Sequence, residues 1–207
     1  MAAKAQTKLK FDVHPAVLMA QSIIAGMKEK TGRSLEDWLE LVGNDGPPTE
    51  KDRRDWLKTK HGLGTNYAGC IAEISVGKGA GFTPEGYLRL ASQYVEDLFA
   101  GPKAGLRPIY EALLAAGLKL GKDVRVSPCQ TFVPLYRNHV FAQIKPATRT
   151  RIDFGLALKD TKTPKRLIDT GGFAKKDRIT RRIEISSLDD IDDEVRRWMK
   201  LAYDMDK

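Results

Sequence analysis

The stretch DVRVSPCQTFVPLYRNHVFAQIKPATRTRIDFGLAL, Asp123 to Leu158, decides the fold. It reads as three strands in succession. Val140, Ala142 and Ile144 alternate with Phe141, Gln143 and Lys145. After Thr148 to Thr150, Ile152, Phe154, Leu156 and Leu158 alternate with Asp153, Gly155 and Ala157. Period two marks a sheet with one buried face. Arg137-Asn138 and Pro146-Ala147-Thr148 interrupt the alternation, and Asn and Pro favour turns there. The pattern predicts a meandering antiparallel sheet with helices packed on its apolar face.

Working outward, Arg181 to Ser186 (RRIEIS) alternates again and predicts a fourth strand burying Ile183 and Ile185. Between lies Lys159 to Asp177, a long, polar, basic loop containing Gly171-Gly172. A loop of that length in a small domain is functional or disordered. After the strand, Ser187 is expected to cap a last helix with Ile191, Val195, Trp198 and Ala202 as its buried stripe. Its early acids, Asp189, Asp190, Asp192 and Asp193, suit the positive helix start. Upstream, Thr83-Pro84 opens a helix carrying Tyr87, Ala91, Tyr94, Val95 and Leu98. Another carries Leu106, Ile109, Tyr110, Leu113 and Leu114. Helices beside one sheet face make an α+β domain over residues 83–207 with about four strands, mainly antiparallel.

Val76 to Phe82 (VGKGAGF) is glycine-rich, and a linker is expected at 77–82. It lacks the spacing of a phosphate loop. Before it, residues 13–76 predict an all-α domain. One helix should run from His14-Pro15 to Thr31-Gly32. Ser34-Leu35-Glu36-Asp37 resembles a capping box before a helix that buries Trp38, Leu39 and Val42. Thr49 caps a third helix with Trp56 and Leu57, and Thr65 or Asn66 opens a fourth. The last two suggest a helix-turn-helix, but the second has no Arg or Lys in Thr65 to Glu73 to reach a phosphate or guanine edge, so a helical hairpin is expected. Residues 1–12 read as a flexible leader, basic and without an apolar core, so no signal peptide is expected.

The 207 residues are 42% hydrophobic and 30% charged, an ordinary globular composition. No apolar run reaches the ~18 residues of a membrane span. Cys70 and Cys129 are expected to be reduced thiols of a cytoplasmic protein. Net charge is +8, and all of it comes from residues 101–207, with 22 Lys/Arg against 14 Asp/Glu. Arg137 to Arg182 alone holds 13 basic and 4 acidic residues. Such an excess favours a polyanionic partner, with nucleic acid the candidate.

The residues also resemble known families. KEKTGRSLEDWLELV (28–42) and WLKTKHGLGTNYAGCIA (56–72) resemble a short helical bacterial domain of unknown function. TFVPLYRNHVFAQIKPATRTRIDFGLAL (131–158), RLIDTGGF (166–173) and RRIEISSLDDIDDEVRRWMKLAY (181–203) resemble a separate α+β family of unknown function, sometimes labelled "predicted transport protein". The resemblance implies a fold and a domain order. It transfers no catalytic residue.

No nucleophile-base set is visible, and His14, His61 and His139 follow no metal-ligand spacing. Neither a metal nor a cofactor is expected. His61, with Gly62, Gly64 and Asn66, is the motif of interest in the helical domain. On the outer sheet face Gln143, Arg151, Asp153 and Glu184 lie opposite the aliphatic set, with small Gly155 and Ala157 leaving room for an approaching group. The candidate binding residues are Arg137, Arg149, Arg151, Lys165, Arg166, Lys175 and Arg182. Two expectations follow. One is a non-enzymatic binding or adaptor protein whose basic C-terminal domain meets an acidic partner, with the helical domain contacting protein. The other is a receptor for an anionic metabolite, using the polar sheet face and the 159–177 loop.

Overall fold

The alternating segments become strands. The computed structural model describes residues 11–162 and 164–207. Its sheet contains β1 (Arg125–Val126), β2 (Val133–Tyr136), β3 (Val140–Pro146), β4 (Ile152–Leu156), β5 (Ile168–Asp169) and β6 (Arg181–Ile185). The order is β1-β2-β3-β4-β6-β5, with every pair antiparallel. The expected count of about four becomes six because β1 and β5 add two-residue edges, too short to show a period.

Register sets the core. Val133, Ile144, Phe154 and Ile183 stand in one row across four strands, each 0% exposed. Pro146, Ile152 and Ile185 form the next row. Phe141 falls where the register shifts between Leu135 and Tyr136, so it has no partner on β2. A bulge re-aims its residue, and the Phe141 ring packs edge-on against Tyr203 at 5.5 Å.

Helices close the core. In chain order they are α1 (Pro15–Ala25), α2 (Met27–Thr31), α3 (Leu35–Asp45), α4 (Glu50–His61), α5 (Thr65–Ser75), α6 (Pro84–Leu98), α7 (Arg107–Leu118) and α8 (Asp193–Met205). α8 packs on β3 and β4, burying Val195, Met199 and Ala202. α7 adds Ile109, Tyr110 and Leu113 to the same cluster.

The chain divides into two compact units, Val13–Leu90 and Ala91–Lys207, the latter with Phe11 and Asp12. Residues 1–10 of the expected leader lie outside the described residues. Asp12 is not loose. Its N–H donates to Val126 O at 2.8 Å, its carboxylate accepts from Val126 N–H at 3.0 Å, and Phe11 packs on the core. The segment expected as a linker contains a 3-10 turn, Gly79–Phe82, and Phe82 packs on the helical core. The two compact units are divided at Leu90/Ala91, within α6.

In the helical unit the expected first helix breaks at Gly26 into α1 and α2. Gly is a poor helix interior, and its N–H turns back to Ser22 O and Ile24 O. The Ser34–Asp37 capping box forms in both directions, at 3.2 and 2.9 Å. Thr49 caps α4 through Asp52 N–H. Arg53 joins α4 to the end of α5, donating to Pro47 O and Ser75 O at 2.7 and 2.9 Å. Met27, Val42, Leu57, Ala68 and Ile71 are fully buried between these helices.

One cap is corrected. Ser187 does not start α8. Asp190 draws Ser186 and Ser187 N–H into a turn at 2.7 and 2.9 Å. Asp192 then caps the helix through Val195 N–H at 3.0 Å. Carboxylates compete for amides as well as a hydroxyl does, and here Asp192, five residues later, takes the N-cap.

Phe154→Ala removes the ring at the centre of the row. It should lower unfolding stability by about 3–5 kcal/mol, read as an earlier urea midpoint with an unchanged slope.

Candidate functional site

Outer-face arginines first have to find partners. β3, β4 and β6 place Lys145 beside Asp153 and Asp153 beside Glu184. Arg151 reaches Asp153 and Glu184, both at 3.0 Å. Arg182 reaches the same two carboxylates at 2.9 and 2.8 Å. Four side chains thus form a closed ion cluster on the sheet. The space left by Gly155 is filled from within. A Cβ there would stand 2.7 Å from both Gln143 Cγ and Ile179 Cγ2. The polar face is therefore no open anion groove.

The other sequence-predicted residues scatter. Arg137 donates to Asp123 at 2.8 Å and lies 4.3 Å above the Tyr203 ring. The Tyr203 hydroxyl donates to the same carboxylate at 2.6 Å, and this bond, with Arg137, holds Asp123 below the usual carboxylate range. Arg166 binds Asp192 and Glu194 at the start of α8. Arg149 sits in the β3–β4 turn, beside an open depression of about 600 Å³ that Lys103 and Lys145 also line. Lys165 and Lys175 are exposed. Within the acidic run 189–194, Asp190, Asp192 and Glu194 are taken up by Arg166 and the caps. Among the described residues no group of three His, Cys, Asp or Glu side chains could hold a metal ion.

In the helical unit, His61 ends α4 against two tryptophans, 4.4 Å from the Trp56 ring and 5.6 Å from Trp38. Its Nε2 is enclosed without a hydrogen-bond partner, and burial lowers its pKa. It is a packing histidine, neutral at pH 7. Gly62 takes the left-handed cap, φ 68°, and donates to Leu57 O. Gly64 is the N-cap of α5. Asn66 lines a separate groove of about 300 Å³ with Met19, Cys70 and Phe82. The HGLG motif is thus a helix stop and start.

What the structure does assemble lies where the loop before β6 meets the end of α8. Thr180 extends β6 beside β4: its N–H donates to Leu156 O and its hydroxyl accepts from Leu158 N–H. The loop then folds on itself, with Lys175 and Asp177 N–H on Gly172 O and Lys176 N–H on Phe173 O. This leaves a cleft of about 480 Å³. Ala157, Ala202 and Met205 give it an apolar lining, and Phe173, 54% exposed, adds an aromatic ring. Lys159, Lys176 and Arg178 supply positive charge. Lys159 (φ 51°) and Lys176 (φ 57°) are the only non-glycine residues with left-handed backbone among the described residues. That conformation costs about 1–2 kcal/mol per residue, and such strain clusters at functional sites.

Asp206 anchors the cleft. It is 4% exposed and caps α8. One carboxylate oxygen accepts the His139 N–H at 2.7 Å. The other accepts Arg178 Nη2 at 2.6 Å and faces His139 Nδ1 at 3.1 Å. A carboxylate only accepts, so Nδ1 carries the hydrogen. One acid therefore fixes the β2–β3 turn, the cleft arginine and the imidazole tautomer. Sequence reasoning pointed to the 159–177 loop as a whole but did not single out Lys159, Phe173, Lys176, Arg178 or Asp206, and treated His139 as isolated. A signal was available: an acid just past a helix C-terminus faces the negative end of the dipole and needs cationic partners.

Residues 95–206 match the family model described as Domain of unknown function (DUF5655). Residues 19–75 match a second, Domain of unknown function (DUF4287). No curated protein and no solved structure matches the chain.

Two outcomes follow from this geometry. Asp206→Ala strands Arg178 and the His139 amide. It should cost about 1–3 kcal/mol, the loss of its hydrogen bonds rather than of a fully buried pair because Arg178 is half exposed, measured by chemical denaturation. Burial pushes both thiols up to about 11, so Cys70 and Cys129 are protonated at pH 8. Ellman's reagent should react with them slowly in the native protein and rapidly in denaturant.

Proposed function

The chain belongs to the DUF5655 domain family, and from that premise we propose that its C-terminal unit is a non-enzymatic receptor for a small anionic ligand in the cleft beside α8. The observation that carries this is convergence. Lys159, Lys176 and Arg178 meet on one concavity with an apolar lining. Ligand sites have this form: mostly apolar, with a few fixed polar groups. The volume, about 480 Å³, lies within the usual range for small-molecule sites.

A polyanion such as nucleic acid is less well served. It needs unpaired cations spread over a surface. Arg137, Arg151, Arg166 and Arg182 are each committed to a carboxylate. The groove of the helical unit, with exposed Met19, suits an adaptor role toward a protein partner. No helix among the described residues is long and apolar enough to cross a membrane. We take the protein to be cytoplasmic, where thiols such as Cys70 and Cys129 stay reduced.

The test is a thermal-shift screen of the full chain with small carboxylates and phosphate esters. A ligand at a hundred times its Kd should stabilise by about 2.7 kcal/mol. The Lys159→Gln/Lys176→Gln double variant, changed only at exposed positions, should keep its own melting temperature and lose the shift. A panel without effect, or shifts the double variant retains, would overturn the receptor. Binding of generic DNA that falls steeply with salt would favour the polyanion instead.

A further inference from the structure

Resting on that receptor reading, we infer that the cleft selects amphipathic monocarboxylates, a single carboxylate on an alkyl or aryl body, over phosphate esters. Three features of the lining point to this class.

The first is charge. The lining holds three cations, Lys159, Lys176 and Arg178, against two carboxylates, Asp177 and Asp206. The balance is one positive charge, which a monoanion neutralises and a phosphate dianion exceeds. The second is donor geometry. Bidentate recognition of a carboxylate or a phosphate uses one edge of an arginine fork. Here Arg178 spends Nη2 on Asp206 at 2.6 Å and Nε on Val140 O at 3.4 Å. The Nε/Nη2 edge is therefore occupied, which leaves one Nη1–H/Nη2–H pair to match the two oxygens of a carboxylate, and the lysines act as point charges. The helix presented to the cleft is also the wrong way round. Phosphates favour helix N-termini, whereas Ala202, Met205 and Asp206 bring the C-terminal end of α8, the negative end of its dipole. A carboxylate, with less charge to place, tolerates that end better.

The third feature is the apolar lining. Ala157 and Ala202 are small, so they leave depth, and Met205 is an adaptable wall. Phe173 lines the same cleft while 54% exposed, an unusual position for a large ring in a charged loop. A ligand body covering it gains the area that water now holds. The carboxylate meets Lys159 and Lys176, and the hydrocarbon lies along Phe173 and Met205.

Isothermal titration of the full chain with hexanoate, octanoate, decanoate and phenylacetate tests this. Octyl phosphate, AMP and 1-decanol serve as comparators. Affinity should rise about fourfold for each added CH2 until the cleft is filled, following the transfer free energy of a buried methylene. Decanoate should bind at least tenfold more tightly than octyl phosphate or 1-decanol. Phe173→Ser, an exposed change with little bearing on folding, should weaken decanoate and phenylacetate at least fivefold. Octyl phosphate or AMP binding as tightly as decanoate would overturn the monocarboxylate class. If that binding vanished in Lys159→Gln/Lys176→Gln, the receptor would stand. Decanol matching decanoate, or affinity independent of chain length and of Phe173, would also overturn the class. If carboxylates and phosphates alike failed to bind, the receptor itself would fall.

Discussion

The period-two sorting of side chains across β3, β4 and β6 is the constraint on which everything else depends. With Val133, Ile144, Phe154 and Ile183 in one fully buried row, the intervening residues have no choice of face. Arg151, Asp153, Arg182 and Glu184 must share the outer side. Opposite charges in adjacent register neutralise one another, each half-buried pair adding about 1 kcal/mol. Their consequence is larger than their energy. They use up cations that raw composition offers to a partner.

The sheet's far end follows a different logic. There β4 and β6 run out and the chain must cross from Leu156 to Ile168 and back to Thr180. With only the two-residue β5 to fix it, the loop is held by its own backbone turns and by side chains. Asp206 is the principal one. An acid at a helix C-terminus is electrostatically disfavoured, and Asp206 tolerates it because three donors surround its carboxylate: the His139 amide, the His139 ring and Arg178. The interaction is mutual. Arg178 is oriented toward the cleft because Asp206 holds one edge of it, and the β2–β3 turn is tied to α8 by the same group. Arg137 on Tyr203 and Asp123 adds a second tie from that turn. Fold and cleft therefore share a fastening.

Much of the fold was legible because its signals are local and repeated. Alternation over Val140–Ile144, Ile152–Leu156 and Arg181–Ile185 survives any tertiary context that buries one face. The Ser34–Asp37 box and the Thr49 cap are read from residues three apart. What escaped lacks repetition. β1 and β5 span two residues each, and β5 exists because β6 offers it an edge. Gly26 breaks a helix whose apolar stripe runs straight through it. Asp192, rather than Ser187, caps α8 because Asp190 takes the earlier amides, a competition among neighbours that spacing alone cannot rank. The site was less legible still. Counting basic residues between Arg137 and Arg182 finds a positive region. It does not find which cations are already paired, since pairing is set by register and by contacts such as Arg178–Asp206, 28 residues apart.

The difference between arginine and lysine resolves that ambiguity in physical terms. Arginine's fork suits fixed carboxylates, and here the arginines serve the fold, on the sheet face, at the start of α8 and on Asp206. Lys159 and Lys176 pair with no carboxylate among the described residues, yet both stand in backbone that glycine adopts most readily. Their loop hydrogen bonds, Thr161 N–H to Leu158 O and Lys176 N–H to Phe173 O, close the turns that impose this conformation. Glycine at either position would relax the backbone and delete a charge. A loop needing only its turns has no use for lysine there. With lysine there, the left-handed turns set two positive charges at the edge of the cleft, beside its apolar wall.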